Sequence, residues 1–105
     1  MTEPGRWTRI MTEAEFISYV ADRPLRAEGI CFTIRSDGTM TGEIDGAPLA
    51  GQWIWRDALF CRRAALGGEE LGSDCEVIEV AGNRMRYIRE EGRGVASVVE
   101  ICEPD

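Results

Sequence analysis

From Gly29 to Cys102 apolar side chains recur at alternate positions, in short runs separated by glycine-containing turns. A period of two sends successive side chains to opposite faces of a strand, so each run has a face to bury. Ile30, Phe32 and Ile34 share one face, with Cys31, Thr33 and Arg35 opposite. Ser36-Asp37-Gly38-Thr39 reads as a hairpin turn, because Asp-Gly accepts positive backbone angles. Residues 40–44 return, Asp45-Gly46-Ala47-Pro48 turns again, and Leu49, Gly51, Trp53 and Trp55 line one face of a longer strand. After Arg56-Asp57 the next strand is expected over 58–64, and three more over 75–80, 84–89 and 95–102. Met85 and Tyr87 oppose Arg84, Arg86 and Ile88, while Val77 next to Ile78 gives one strand apolar groups on both faces. Residues 65–74 are glycine-rich and longer than a hairpin needs, and they read as an irregular loop.

The period is different before Gly29. Thr12 followed three positions later by Glu15 is a capping box, and Met11 with Phe16 makes a hydrophobic staple across the same helix start. Phe16, Ile17 and Val20 form a narrow apolar stripe, and Arg23-Pro24 stops the helix, giving a span of about 13–22. Three turns are marginal in isolation, so this helix must pack on the strands.

One helix and seven evident strands joined by short loops predict a mainly β fold. The expected form is a seven- or eight-stranded antiparallel meander curled into a small barrel, with the helix over a face or plugging an end. Closure removes the exposed edges that a flat sheet would carry. The whole of residues 1–105 is read as a single domain: helix about 13–22, meander about 29–102, and an acidic C-terminus that frays from Glu100 to Asp105.

Nineteen acidic residues against twelve basic ones give a formal charge of -7. That balance opposes attraction to nucleic acid or an anionic membrane, and no run is long and apolar enough to span a bilayer. Met1-Thr2-Glu3-Pro4-Gly5 lacks the basic start and apolar core of a secretory signal, so a cytoplasmic location is expected, or a periplasmic or secreted one if a signal has been removed. There is no histidine. Ser-His-Asp and Cys-His catalysis and histidine-containing zinc sites are thereby excluded. Every basic residue is arginine, the residue suited to planar carboxylate and phosphate groups.

Gly51-Gln52-Trp53, preceded by a helix and set in a meander, resembles the Gly-x-Trp strand of small lipocalin-like, or calycin, barrels. A second likeness is to short bacterial β proteins carrying a spaced pattern matched here by Asp37-Gly38, Gly46, Gly51, Trp53, Asp57, Cys61 and Cys75. The first resemblance implies a tryptophan closing one end and a cup for a small apolar ligand. The second, over residues 37–75, implies no assigned activity. Two strands precede the motif here, and the chain is shorter than a usual lipocalin.

Cys61 and Cys75 bracket the 65–74 loop and are the best disulfide pair. The resemblance favours the bond, whereas the leaderless start favours free thiols. Cys31 and Cys102 are expected as buried free thiols, and no Cys-x-x-Cys or calcium-loop spacing suggests a metal. Trp53, Trp55, Arg62, Arg86 and Tyr87 are the candidate ligand-binding residues, on the expectation that an indole at the mouth lies beside a guanidinium. The plainer alternative places Arg62 outside, paired with Glu43, Glu76 or Glu79. No catalytic residue, metal or cofactor is assigned.

The leading expectation is non-catalytic binding of a small anionic or amphipathic molecule at the barrel mouth. A protein-interaction module, an inhibitor or accessory subunit using a β edge or the 65–74 loop, comes second. A small histidine-independent isomerase or hydratase comes third; it would need a carboxylate, tyrosine or thiol facing a cavity, drawn from Asp57, Glu43, Glu79, Tyr87 or a cysteine. Exposed strand edges beside the helix would also permit a homodimer.

Overall fold

Alternation closes the sheet on itself. The computed structural model describes residues 6–104. In it β2 (Pro24–Ala27), β3 (Ile30–Ile34), β4 (Thr39–Ile44), β5 (Ala47–Arg56), β6 (Leu59–Leu66), β7 (Glu69–Ala81), β8 (Arg84–Ile88) and β9 (Ala96–Ile101) pair in chain order, each antiparallel to the next. The seam is made by β9 returning to β2, through Leu25↔Ile101 and Arg26↔Glu100. The result is a closed eight-stranded antiparallel barrel. A further two-residue strand, β1 (Thr8–Arg9), pairs with Val80 and Glu79 of β7, beyond the last β6 pairing at Phe60↔Glu76.

Inward positions carry the core: Phe32, Ile34, Met40, Leu49, Trp53, Phe60, Ile78, Met85, Val99 and Ile101 are all buried. Val77, of opposite parity, is also buried, and the Gly92 backbone crosses over its side chain. Successive turns alternate between two ends. The turns near 36–38, 57–58 and 82–83 share an end with the helix α1 (Glu13–Tyr19), and those near 28–29, 45–46 and 67–68 share the other with α2 (Arg89–Gly92).

Several boundaries differ from the sequence expectation. The helix stops at Tyr19 rather than near 22, because Asp22 takes a left-handed φ of 65° and its backbone N–H turns to the Ile34 carbonyl. Pro24–Ala27, expected as connection, is a strand, with proline at its first position where no ladder donor is missed. Residues 65–74 are not a loop: β6 and β7 continue through them, joined at Gly67-Gly68, with a register shift between Ala64 and Ala65. The meander does not fray from Glu100; Glu100 and Ile101 lie in β9 and the Cys102 N–H bonds the Pro24 carbonyl at 2.9 Å. The final residue of that expectation, Asp105, lies outside the described residues, as does the Met1–Gly5 segment. Cys31 is exposed and Cys102 half-buried, both pointing outward, in contrast to the buried thiols expected.

Candidate functional site

The two ends of the barrel are chemically unlike. At the helix end the capping box forms as the sequence implies: Thr12 Oγ1 accepts the Glu15 N–H, and the Glu15 carboxylate accepts the Thr12 N–H at 3.1 Å and the Met11 N–H at 3.2 Å. That start aims Phe16 into the barrel. Its ring centroid lies 5.2 Å from Trp53, 5.2 Å from Trp55 and 5.3 Å from Phe60. Both indole N–H groups are committed to main chain, Trp53 Nε1 donating to the Arg35 carbonyl at 2.8 Å and Trp55 Nε1 to that of Met11 at 3.4 Å. Gly51 belongs to the same strand face. A Cβ there would lie 2.6 Å from the Arg63 carbonyl oxygen and 2.9 Å from the Ala64 Cβ, so glycine lets β5 and β6 approach. This end is a packed aromatic plug.

At the other end the interior holds a cavity of about 80 Å³. Phe32, Met40, Ile78 and Met85 line its apolar depth, and Arg62, Glu76, Tyr87 and Arg89 give it polar groups. A shallow depression past Leu71, Asp74 and Val95 adjoins it and shares Arg62, Leu71 and Arg89. Strand parity explains the charges. Arg62 has the parity of Phe60 and Ala64, and Glu76 that of Ile78 and Val80, so both side chains point inward. Arg62 is the cross-strand partner of Trp53, and Phe60 that of Glu76. The Arg62 Nη2 lies 3.5 Å from Glu76 Oε2, with the two side chains 14% and 5% exposed, and Arg62 Nη1 donates to the Gly72 carbonyl at 3.2 Å.

Burial raises the Glu76 pKa above its ordinary value; Arg62 and Arg89 pull it down, and Asp74 pushes it further up. Apolar residues of the same volume in place of a buried ion pair are often as stable or more so, so stability alone does not account for this pair. A titratable group with displaced proton affinity in a cleft marks a candidate site.

The five candidate ligand residues therefore separate. Arg62 and Tyr87 come together at the cavity, with Tyr87 edge-on to Phe32 at a centroid distance of 6.4 Å. Trp53 and Trp55 do not line it; they sit in the plug. Arg86 is on the outer wall, where it pairs with Glu79 at 2.5 Å and lies 4.5 Å over the Trp7 ring. Glu79 is thus an outer-wall residue too, Glu43 is exposed, and Asp57 occupies a turn with φ 52°. Glu76 and Arg89 were missed as site residues. The parity of Glu76 with Ile78 and Val80 was the available signal; Arg89, at the end of a strand, had none.

Cys61 and Cys75 face each other across β6 and β7 with Cα atoms 4.0 Å apart and their sulfurs at disulfide distance. They flank the ion pair, Cys61 beside Arg62 and Cys75 beside Glu76. A wider groove of about 550 Å³ runs outside the barrel past Gln52, Ile54 and Arg63, all exposed to solvent. Among the described residues no cluster of three or more acidic or cysteine side chains has the arrangement to hold a metal ion. Among the described residues no helix is long and apolar enough to cross a membrane.

These features define a class: a small closed antiparallel barrel, plugged at one end by a helix, with a buried arginine–glutamate pair facing a cavity near the other. No known protein family, curated protein or solved structure matches the chain.

Proposed function

We propose that this protein is a non-catalytic binder of a small amphipathic carboxylate, held at the α2 end of a lipocalin-like barrel. The observation that carries the reading is Arg62, a guanidinium directed into the interior beside Glu76, with open space and an apolar wall of Phe32, Met40, Ile78 and Met85 next to it. Eight strands enclose just enough room for side chains or one small ligand. A volume of about 80 Å³ lies well below the several hundred Å³ of an ordinary ligand pocket. It suits a short apolar group seated against Met40, Ile78 and Met85, with the carboxylate on Arg62 and Arg89. Any longer part of the ligand would lie over exposed Leu71.

The Met40 and Met85 methyl groups are built-in reporters, because both line the cavity. Titration with straight-chain acids from acetate to octanoate should give saturable NMR shifts at these methyls, with an optimum at short chain length. Arg62→Leu should weaken binding at least tenfold. Shifts spread over the outer wall, or none at millimolar acid, would reject the reading. The histidine-free enzyme is a second reading, favoured by one observation: Glu76 has a raised proton affinity and faces the cavity beside Tyr87. Turnover of a bound acid, abolished by Glu76→Gln without loss of binding, would select it.

A further inference from the structure

We infer that the site takes its carboxylate together with one proton, which Glu76 and the ligand share beneath Arg62. The inference rests on the carboxylate-binding reading and adds the state in which the ligand is held. Glu76 already occupies the position an incoming anion would need: its carboxylate is the acidic partner of Arg62, and only 5% of its side chain is exposed. The Nη2–Oε2 separation of 3.5 Å is longer than the 2.7–2.9 Å of a tight charge-assisted bond. Among the described residues the other terminal nitrogen, Nη1, donates only to the Gly72 carbonyl. Arg62 is therefore not locked in a bidentate pair.

A second carboxylate beside Glu76 would place two like charges in a site of low dielectric, where both cannot stay ionised. The charged and titratable groups facing Glu76 are few. Arg62 projects from β6, Asp74 from β7 and Arg89 from the start of α2, while Tyr87 of β8 lines the same cavity. Asp74 accepts the Glu90 backbone N–H at 3.2 Å and adds a further negative charge beside Glu76. Two arginines against Asp74, Glu76 and the ligand leave one negative charge in excess, and a proton from solvent removes it. Glu76 then donates its O–H to one ligand oxygen while Arg62 donates N–H groups to the carboxylate. Burial already favours the protonated Glu76 that this arrangement requires. The same geometry selects monoanions, because a phosphate dianion would restore the excess charge.

Calorimetry with butanoate tests this on the whole chain, at a pH above both the pKa of the acid and that of Glu76 in the free protein. Titrations in buffers of different ionisation enthalpy should report one proton taken up per butanoate bound. Above the pKa of Glu76, affinity should fall about tenfold per pH unit, the slope of a one-proton linkage. Glu76→Gln, a near-isosteric change, should bind at neutral pH as tightly as the parent does in acid, with no proton uptake. Binding by the parent without proton uptake would overturn this inference and leave the carboxylate site standing. Absence of binding by both proteins, from acid to neutral pH, would overturn the two together.

Discussion

Phe16 meets Trp53 at a centroid distance of 5.2 Å and an interplanar angle of 63°, and this contact shuts the helix end of the barrel. The geometry is the edge-to-face arrangement that aromatic pairs favour. Phe16 is fully buried, and Trp55 and Phe60 pack on the same ring. Phe16→Ala should therefore lower stability by about 3–5 kcal/mol, the range for deleting a buried aromatic ring. Urea unfolding gives the loss, and tryptophan emission should shift to the red as water reaches the indoles. A loss below about 1 kcal/mol, as for an ordinary surface change, would mean that the helix does not plug the barrel.

The carboxylates divide into two groups with opposite pH behaviour. Backbone N–H groups hold Glu15 (chiefly that of Met11) and Asp22 (that of Ser36) at lowered pKa values, and the Thr39 hydroxyl does the same for Asp37. Their stabilisation is present above the unfolded pKa values and is lost as pH falls through the folded ones. Glu76 is the reverse case. Its folded pKa is raised above the ordinary 4.5, so its contribution is full below 4.5 and is lost as pH rises through the folded value. Stability should therefore fall on both sides of a maximum. Glu76→Gln should keep the acid limb and flatten the limb that begins near pH 4.5. Any fixed penalty from leaving Arg62 without its partner shifts the curve but not its slope. Urea unfolding of both proteins across this range checks it; parallel curves would place Glu76 in solvent.

How far the sequence could be read is visible in the same residues. Alternation located β3 to β6, β8 and β9 and sorted the two faces of β3, β5, β8 and β9, because a half-buried antiparallel strand writes its burial into every second residue. β2 escaped: Pro24-Leu25-Arg26-Ala27 has a single inward apolar residue, Leu25, and four residues are too few to show a period. The first half of β7 escaped because Glu69 to Asp74 has the composition of a loop; both faces of that stretch are largely solvated, and only pairing with β6 orders it. At the site, Arg62 and Tyr87 were legible as candidate ligand residues, but the sequence left Arg62 open between the inner and outer faces. The Arg62–Glu76 pair was conceivable from sequence only as an outer-wall bridge. Inside and outside differ by one position of parity, and Val77, apolar on the outer face beneath Gly92, masked the parity of this strand.

Ala58 carries a backbone conformation that suits another residue. In the turn between β5 and β6, Asp57 and Ala58 take φ values of 52° and 60°, both left-handed. Aspartate tolerates this region through local hydrogen bonding, whereas a Cβ at the second position costs about 1–2 kcal/mol. Glycine removes the clash but gives the unfolded chain more freedom, which offsets part of the gain. Ala58→Gly should thus raise stability by about 0.5–1 kcal/mol, a few degrees in Tm for a domain of this size. Its carbonyl, which accepts an Arg9 N–H at 3.0 Å, is unaffected by the change. A thermal melt below that of the parent would show that the turn has a different geometry.

The four cysteines should react in an order set by where the barrel puts them. Cys31 is exposed on β3, so it should be alkylated first in the native protein. Cys102 should follow more slowly: it is half-buried, and desolvation, the largest influence on it, pushes its thiol pKa up and thins the reactive thiolate. Cys61 and Cys75, paired across β6 and β7 and 14 positions apart in sequence, should resist reagent until a reductant is added. Opening a link that closes a loop of this length should lower stability by about 3 kcal/mol through the added freedom of the unfolded chain. Because the two residues adjoin Arg62 and Glu76, reduction should also broaden the Met85 methyl signal as the wall behind the ion pair loosens. Mass spectrometry after timed alkylation, with and without reductant, reads the order. Equal labelling of all four thiols in the untreated native protein would rule out the cross-strand link.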